Sequence, residues 1–107
     1  MPEDWPNPNS TKVAKTSTWQ GETYWNHYSS QLRNEPAVGL NVMLMQGGSF
    51  PDSPHMAIAY QFSNNKIEVT HYTESAIRNG DSKIFESYTD LQNKFSYTQF
   101  MYLPLGL

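Results

Sequence analysis

The clearest pattern of apolar and polar positions runs from His55 to Ser75 (HMAIAYQFSNNKIEVTHYTES). Met56, Ile58, Tyr60 and Phe62 alternate with Ala57, Ala59, Gln61 and Ser63. Beyond Asn64-Asn65 a second alternating run sets Ile67, Val69, His71 and Thr73 against Glu68, Thr70 and Tyr72. Period-two alternation on both sides of a pair that tolerates positive φ predicts a β-hairpin with a two-residue turn at Asn64-Asn65. That turn puts Phe62 opposite Ile67, Tyr60 opposite Val69, Ile58 opposite His71 and Met56 opposite Thr73. One face then buries these pairs, while the other carries Ala57 and Ala59 beside Thr70, Tyr72 and a cross-strand His55/Glu74 pair. A slip of one residue exchanges the two faces.

The same reasoning places the remaining elements. In 38–46 (VGLNVMLMQ), Val38, Leu40, Val42 and Leu44 line one side and Met43 and Met45 the other, so both faces are expected to be covered, as in an interior strand. A helix is expected over 22–34, where Tyr24, Tyr28, Gln31 and Leu32 share a stripe with Trp25 at its border and Pro36 follows as a stop, with an aromatic strand over 19–28 interrupted at Gly21 as the alternative. Asn79-Gly80-Asp81 predicts a turn, and 83–88 a short strand in which Ile84, Glu86 and Tyr88 alternate with Phe85 and Ser87. Thr89 and Gln92 have capping-box spacing, which predicts one or two helical turns carrying Leu91 and Phe95. A last aromatic strand is expected over 96–103, ended by Pro104.

These elements assemble as an α+β fold: a single antiparallel sheet of about five strands (38–46, 56–63, 66–73, 83–88 and 96–103) with one helix packed on a face. Ala57 and Ala59 offer that helix a close approach. A small β-barrel is the alternative. Residues 1–15, with Pro2, Pro6 and Pro8, read as an extended N-terminal arm in which Trp5 is the one aromatic side chain, and 16–107 as a single domain. At 107 residues the chain suits one core.

Composition narrows the functional classes. Seven Lys and Arg against ten Asp and Glu give a formal charge of −3, and no basic cluster stands out, so nucleic acid is not expected as a partner. No apolar run is long enough for a membrane span, and the acidic, proline-rich start is unlike a signal peptide, which favours a cytoplasmic setting. The absence of cysteine removes thiol nucleophiles, disulfides and cysteine-ligated zinc. Three Trp, seven Tyr and five Phe suit both a pleated core and a binding surface, because these side chains combine a large apolar area with a polar edge.

Catalytic signals are sparse. Gly47-Gly48 lacks the further glycine and the Lys-Ser/Thr of a phosphate loop, and no Gly-x-Ser-x-Gly, HExxH or dinucleotide fingerprint occurs. The one acid/base constellation is His55, as general base or metal ligand, with Glu74 as the group that orients it and Asp52 and Tyr72 nearby. In the expected register His55 and His71 point to opposite faces, so the hairpin alone does not build a metal site. No metal or cofactor is expected.

Two partial resemblances bear on function. Trp19-Gln20-Gly21 is similar to the Trp-and-Gly signature that opens lipocalin-like barrels, which implies an apolar-ligand carrier. Tyr60, Phe62, Phe85 and Phe100 would then line its pocket. The order from Leu40 through the Gly-Gly loop to Ser-Pro-His55-Met-Ala-Ile-Ala-Tyr and on to His71 resembles the histidine-bearing hairpin of circularly permuted papain-like amidases and acyltransferases. That resemblance implies His55 as the catalytic histidine of a small hydrolase. The cysteine such enzymes use has no counterpart in this chain. The reading placed first is therefore a small non-catalytic interaction or regulatory protein. It is expected to bind a protein partner, or itself, through Trp5, Trp19, Trp25, Tyr28 and Tyr72.

Overall fold

A computed structural model describes residues 21–47 and 54–105. The chain forms helix α1 (Gly21–Tyr28) with a 3-10 turn at Ser29–Gln31, then strands β1 (Gly39–Gln46), β2 (His55–Gln61) and β3 (Ile67–Thr70). Helix α2 (Glu74–Asn79), strand β4 (Ser82–Phe85), helix α3 (Tyr88–Lys94) and strand β5 (Gln99–Pro104) follow. All five strands belong to one open antiparallel sheet in the order β4-β3-β2-β1-β5. The α+β expectation holds. The barrel alternative does not, because β4 and β5 are the two ends of the sheet.

The hairpin register is shifted by one residue from the expected one. Ile58 lies opposite Thr70, Ala59 opposite Val69, Tyr60 opposite Glu68 and Gln61 opposite Ile67. Its connection is a three-residue loop, Ser63-Asn64-Asn65, closed by the Phe62 N–H on the Lys66 carbonyl at 2.8 Å and the Asn65 N–H on the Phe62 carbonyl at 3.1 Å. Asn65 alone takes the left-handed conformation, at φ 76°, and the Asn64 side chain accepts from the Lys66 N–H at 3.1 Å. The odd-length loop is the physical cause of the slip. It exchanges the faces, so that Ile67 and Val69 share a side with Ala57 and Ala59 rather than with Ile58 and Tyr60.

Both faces of the sheet carry a core. On one, Val42, Leu44, Met56, Ile58, Leu103 and Leu105 are buried beneath Trp25, Tyr28 and Leu32 of the α1 region. On the other, Met43, Met45, Ala57, Ala59, Ile67, Val69, Phe100 and Tyr102 are buried with Leu91 of α3, ringed by Tyr72, Phe85, Tyr88, Phe95 and Tyr97. The expected helix therefore packs on the Ile58 side, and the small Ala57/Ala59 surface receives α3. β1 is buried on both faces along most of its length, as its two apolar sides require. Asn41, fully buried within it, is satisfied locally: its amide donates to the Ala37 and Gly39 carbonyls at 2.8 and 3.0 Å, and its Oδ1 accepts from the Ala37 N–H at 3.1 Å.

Element ends differ from expectation for identifiable reasons. The helix stops being α-helical at Tyr28 and continues only as a 3-10 turn to Gln31. β3 ends at Thr70 because His71 takes φ 59°, and Thr73 then caps α2 through its hydroxyl, which accepts from the Ala76 N–H at 3.0 Å. Gly80, at φ 69°, terminates that helix, so the expected turn at Asn79-Gly80-Asp81 is a helix C-cap. In α3 the cap is Ser87, whose hydroxyl accepts from the Asp90 N–H at 3.2 Å, rather than Thr89.

Candidate functional site

His55 opens β2 on the α3 side of the sheet, opposite Met45. Its Nε2–H donates to the backbone carbonyl of Tyr72, and its ring stacks on Tyr97 with centroids 5.7 Å apart and planes 29° apart. The expected cross-strand pair with Glu74 is not formed by strand pairing, since β3 has ended and Glu74 begins α2. A ring nitrogen committed to a carbonyl and a ring face covered by tyrosine give His55 the surroundings of a packed residue. His71 is half-buried, and burial holds its imidazole below the ordinary pKa of 6.5. With the register slipped by one residue and β3 ended before His71, strand pairing no longer separates His55 and His71 onto opposite faces. Among the described residues, no group of three or more His, Asp or Glu is arranged to hold a metal ion.

The aromatic residues proposed for binding separate by location. Trp25 and Tyr28 are half-buried against the α1-side core, where burial raises the Tyr28 phenol above its usual pKa. Tyr72 belongs to the opposite core, edge-on to Phe95 at 6.4 Å with the Lys83 ammonium 5.0 Å from its ring centroid. Trp5 and Trp19 lie outside the described residues, as does Asp52. Tyr60, Phe62, Phe85 and Phe100 line no common cavity: Phe85 and Phe100 join the α3-side core, while Tyr60 and Phe62 lie on the other side of the sheet.

What the fold does bring together is an uncovered half-face. Among the described residues, the α1 region packs over β1, β5 and the start of β2, and the apolar side chains at the end of β2 and on β4 are left exposed. There Tyr60 is 40% and Phe62 38% exposed, with their rings edge to face at 4.9 Å, and Ile84 is 64% exposed on β4. The pairing Tyr60↔Glu68↔Ile84 sets the tyrosine and the isoleucine in one row with Glu68 between them. Val38, 66% exposed, precedes β1 at the position that continues its pairing toward Phe62.

The row ends on an open strand edge. Ladder bonds alternate along an antiparallel strand, and the Phe62/Lys66 closure makes Tyr60/Glu68 and Ile58/Thr70 hydrogen-bonded pairs. Ile67 and Val69 therefore bond Phe85 and Lys83, and the backbone polar groups of Ser82 and Ile84 face outward. The other edge is protected over its second half. Tyr102 exchanges both backbone bonds with Arg33 at 2.8 Å, and Pro104 has no donor. Beside the open edge runs a groove of about 370 Å³ between β4 and α3, lined by Lys83, Ile84, Phe85, Asp90, Lys94 and Phe95.

Sequence reasoning missed Val38, Ile84, Lys83 and Lys94. Ile84 alternated with Phe85 in the pattern, but only the strand order makes β4 an edge and Ile84 an exposed residue. No protein-family model, no curated protein and no solved structure matches this chain.

Proposed function

We propose that this protein is a small non-catalytic interaction domain that binds a protein partner through the half of its sheet that α1 leaves uncovered. The observation that carries the reading is the exposure of Tyr60, Phe62 and Ile84, together with Val38 ahead of β1, on one face of a sheet whose central apolar positions are buried. Isolated apolar residues on a surface are ordinary, but an aromatic pair in ring contact, with an exposed isoleucine beyond Glu68 on the same face, offers a contact surface. Tyr60 and Phe62 also suit such a role energetically, since they offer large area with few rotatable bonds to immobilise. The binding residues in this reading are Tyr60, Phe62 and Ile84, with Trp25, Tyr28 and Tyr72 supporting the two cores behind them. It takes no cofactor and no catalytic part for His55.

The test compares the wild-type chain with the triple variant Tyr60→Ser, Phe62→Ser, Ile84→Ser. Both are checked for the same far-ultraviolet circular dichroism, and then assayed for co-purifying protein and by sedimentation velocity. Loss of a stoichiometric partner, or of self-association, in the folded variant is the expected result. An unchanged partner at unchanged occupancy, with an unchanged sedimentation coefficient, would overturn the reading.

A further inference from the structure

We propose that the partner contributes an extended segment that adds to the sheet as a sixth strand along β4, with an apolar side chain and an acidic side chain two residues apart turned into the groove beside α3. This rests on the interaction reading above and gives it a binding mode and a chemistry.

Three features of the molecule converge on that mode. First, the two edges are treated differently. Arg33 and Pro104 close β5 over its second half, whereas among the described residues the outward N–H and C=O groups of Ser82 and Ile84 meet no strand. An unpaired edge is a template for an added strand, and proteins that do not use one usually blunt it. Lys83 is the residue expected to blunt this edge, but its ammonium lies over the rings of Tyr72 and Phe95, at 5.0 and 5.7 Å from their centroids.

Second, the groove runs along the same edge and matches alternate side chains. Lys83 and Phe85 pair with Val69 and Ile67, so they stand on the α3 side of β4, facing Asp90, Lys94 and Phe95. Phe85 and Phe95, with ring centroids 5.8 Å apart, form its apolar floor. A strand laid on β4 turns every second side chain to this side and the others toward exposed Ile84. Four residues of β4 at about 3.3 Å each accept a segment of about four or five residues.

Third, the charge is specific. The groove has two ammonium groups and one carboxylate on a chain whose formal charge is −3. Its local sign is therefore opposite to that of the whole molecule, and a carboxylate entering between Lys83 and Lys94 is favoured. The same argument disfavours a second copy pairing β4 to β4. That arrangement brings two sets of Lys83 and Lys94 together along one shared edge.

The test uses fluorescein-labelled acetyl-Thr-Leu-Thr-Glu-Thr-amide, the same peptide with Lys in place of Glu, and the Glu peptide with Pro at its centre. Each is titrated by anisotropy against the full chain at low salt, and amide shifts of Ser82 to Phe85 are followed by NMR. Expected are saturable binding of the Glu peptide with shifts at Ser82 and Ile84, binding of the Lys peptide weaker by about tenfold or more, and loss with the Pro peptide. The variant Lys83→Glu, Lys94→Glu should reverse the order of the Glu and Lys peptides. Equal affinity of both, with shifts on β4, overturns the acidic chemistry while leaving an interaction surface in place. No binding of any peptide, or shifts confined elsewhere, overturns strand addition. Whether the interaction reading falls with it is decided separately by the triple variant at Tyr60, Phe62 and Ile84.

Discussion

At the scale of single residues, backbone conformation decided more than side-chain pattern. His71 is apolar-facing in the alternating run, but its φ of 59° places it in the left-handed region that residues other than Gly, Asn, Asp and His seldom adopt, and the strand stops there. No alternation rule reports that. Its burial also makes a pH prediction. Below about pH 6.5 the unfolded imidazole takes up a proton that the folded one, with its lowered pKa, resists, so the unfolded state binds more protons and stability falls as pH falls. His71→Asn keeps a residue suited to the left-handed region and removes the titrating ring. Thermal melts between pH 7 and pH 5 should show a shallower loss of Tm in the variant than in the wild type. Parallel slopes would mean that His71 does not carry that dependence. Tyr102 is pushed the other way: burial raises its phenol to about 12, opposed by the bond it accepts from the Gln92 amide at 3.0 Å.

At the scale of elements, the hairpin shows both how far the sequence reaches and where it stops. Both strands, their antiparallel pairing and the turn at the asparagines are legible from alternation and turn chemistry. The register is not, because Asn64-Asn65 fits a two-residue loop with both residues at positive φ as well as a three-residue loop with only Asn65 there. The two loops differ by one residue, which inverts which face meets which core. A chain without cysteine permits a direct check by paired substitutions. Gln61→Cys with Ile67→Cys, directly opposite and on one face, should form a disulfide under mild oxidation without loss of fold. Phe62→Cys with Ile67→Cys, the pair the two-residue loop would join, should remain reduced. The opposite outcome would restore the expected register and move Tyr60 into the core, removing it from the contact surface. The second core layer has a similar history. The pattern around Leu91 predicted helical turns, yet their docking on Ala57 and Ala59 depends on the register and so was out of reach.

At the scale of the molecule, the candidate site follows from strand order, which sequence patterns do not encode. Aromatic richness pointed to a binding surface, but Trp25, Tyr28 and Tyr72 support the two cores, and among the described residues the exposed large apolar set is Val38, Tyr60, Phe62 and Ile84. Ile84 looked like any residue of a short strand until β4 became the sheet's open end. His55, the best catalytic candidate in the sequence, is held by the Tyr72 carbonyl and Tyr97. Among the described residues no helix is long and apolar enough to cross a membrane. The proposed contact surface is the exposed half-face and the strand edge it ends on. The most direct measurement is amide hydrogen exchange of the free chain and of the complex with the protein that co-purifies with it. The account predicts rapid exchange at the outward-facing amides of Ser82 and Ile84 in the free chain and slowing of both in the complex, together with protection around Tyr60 to Lys66. Unchanged exchange along β4, with protection confined to the Trp25–Tyr28 turn or to α3, would contradict it.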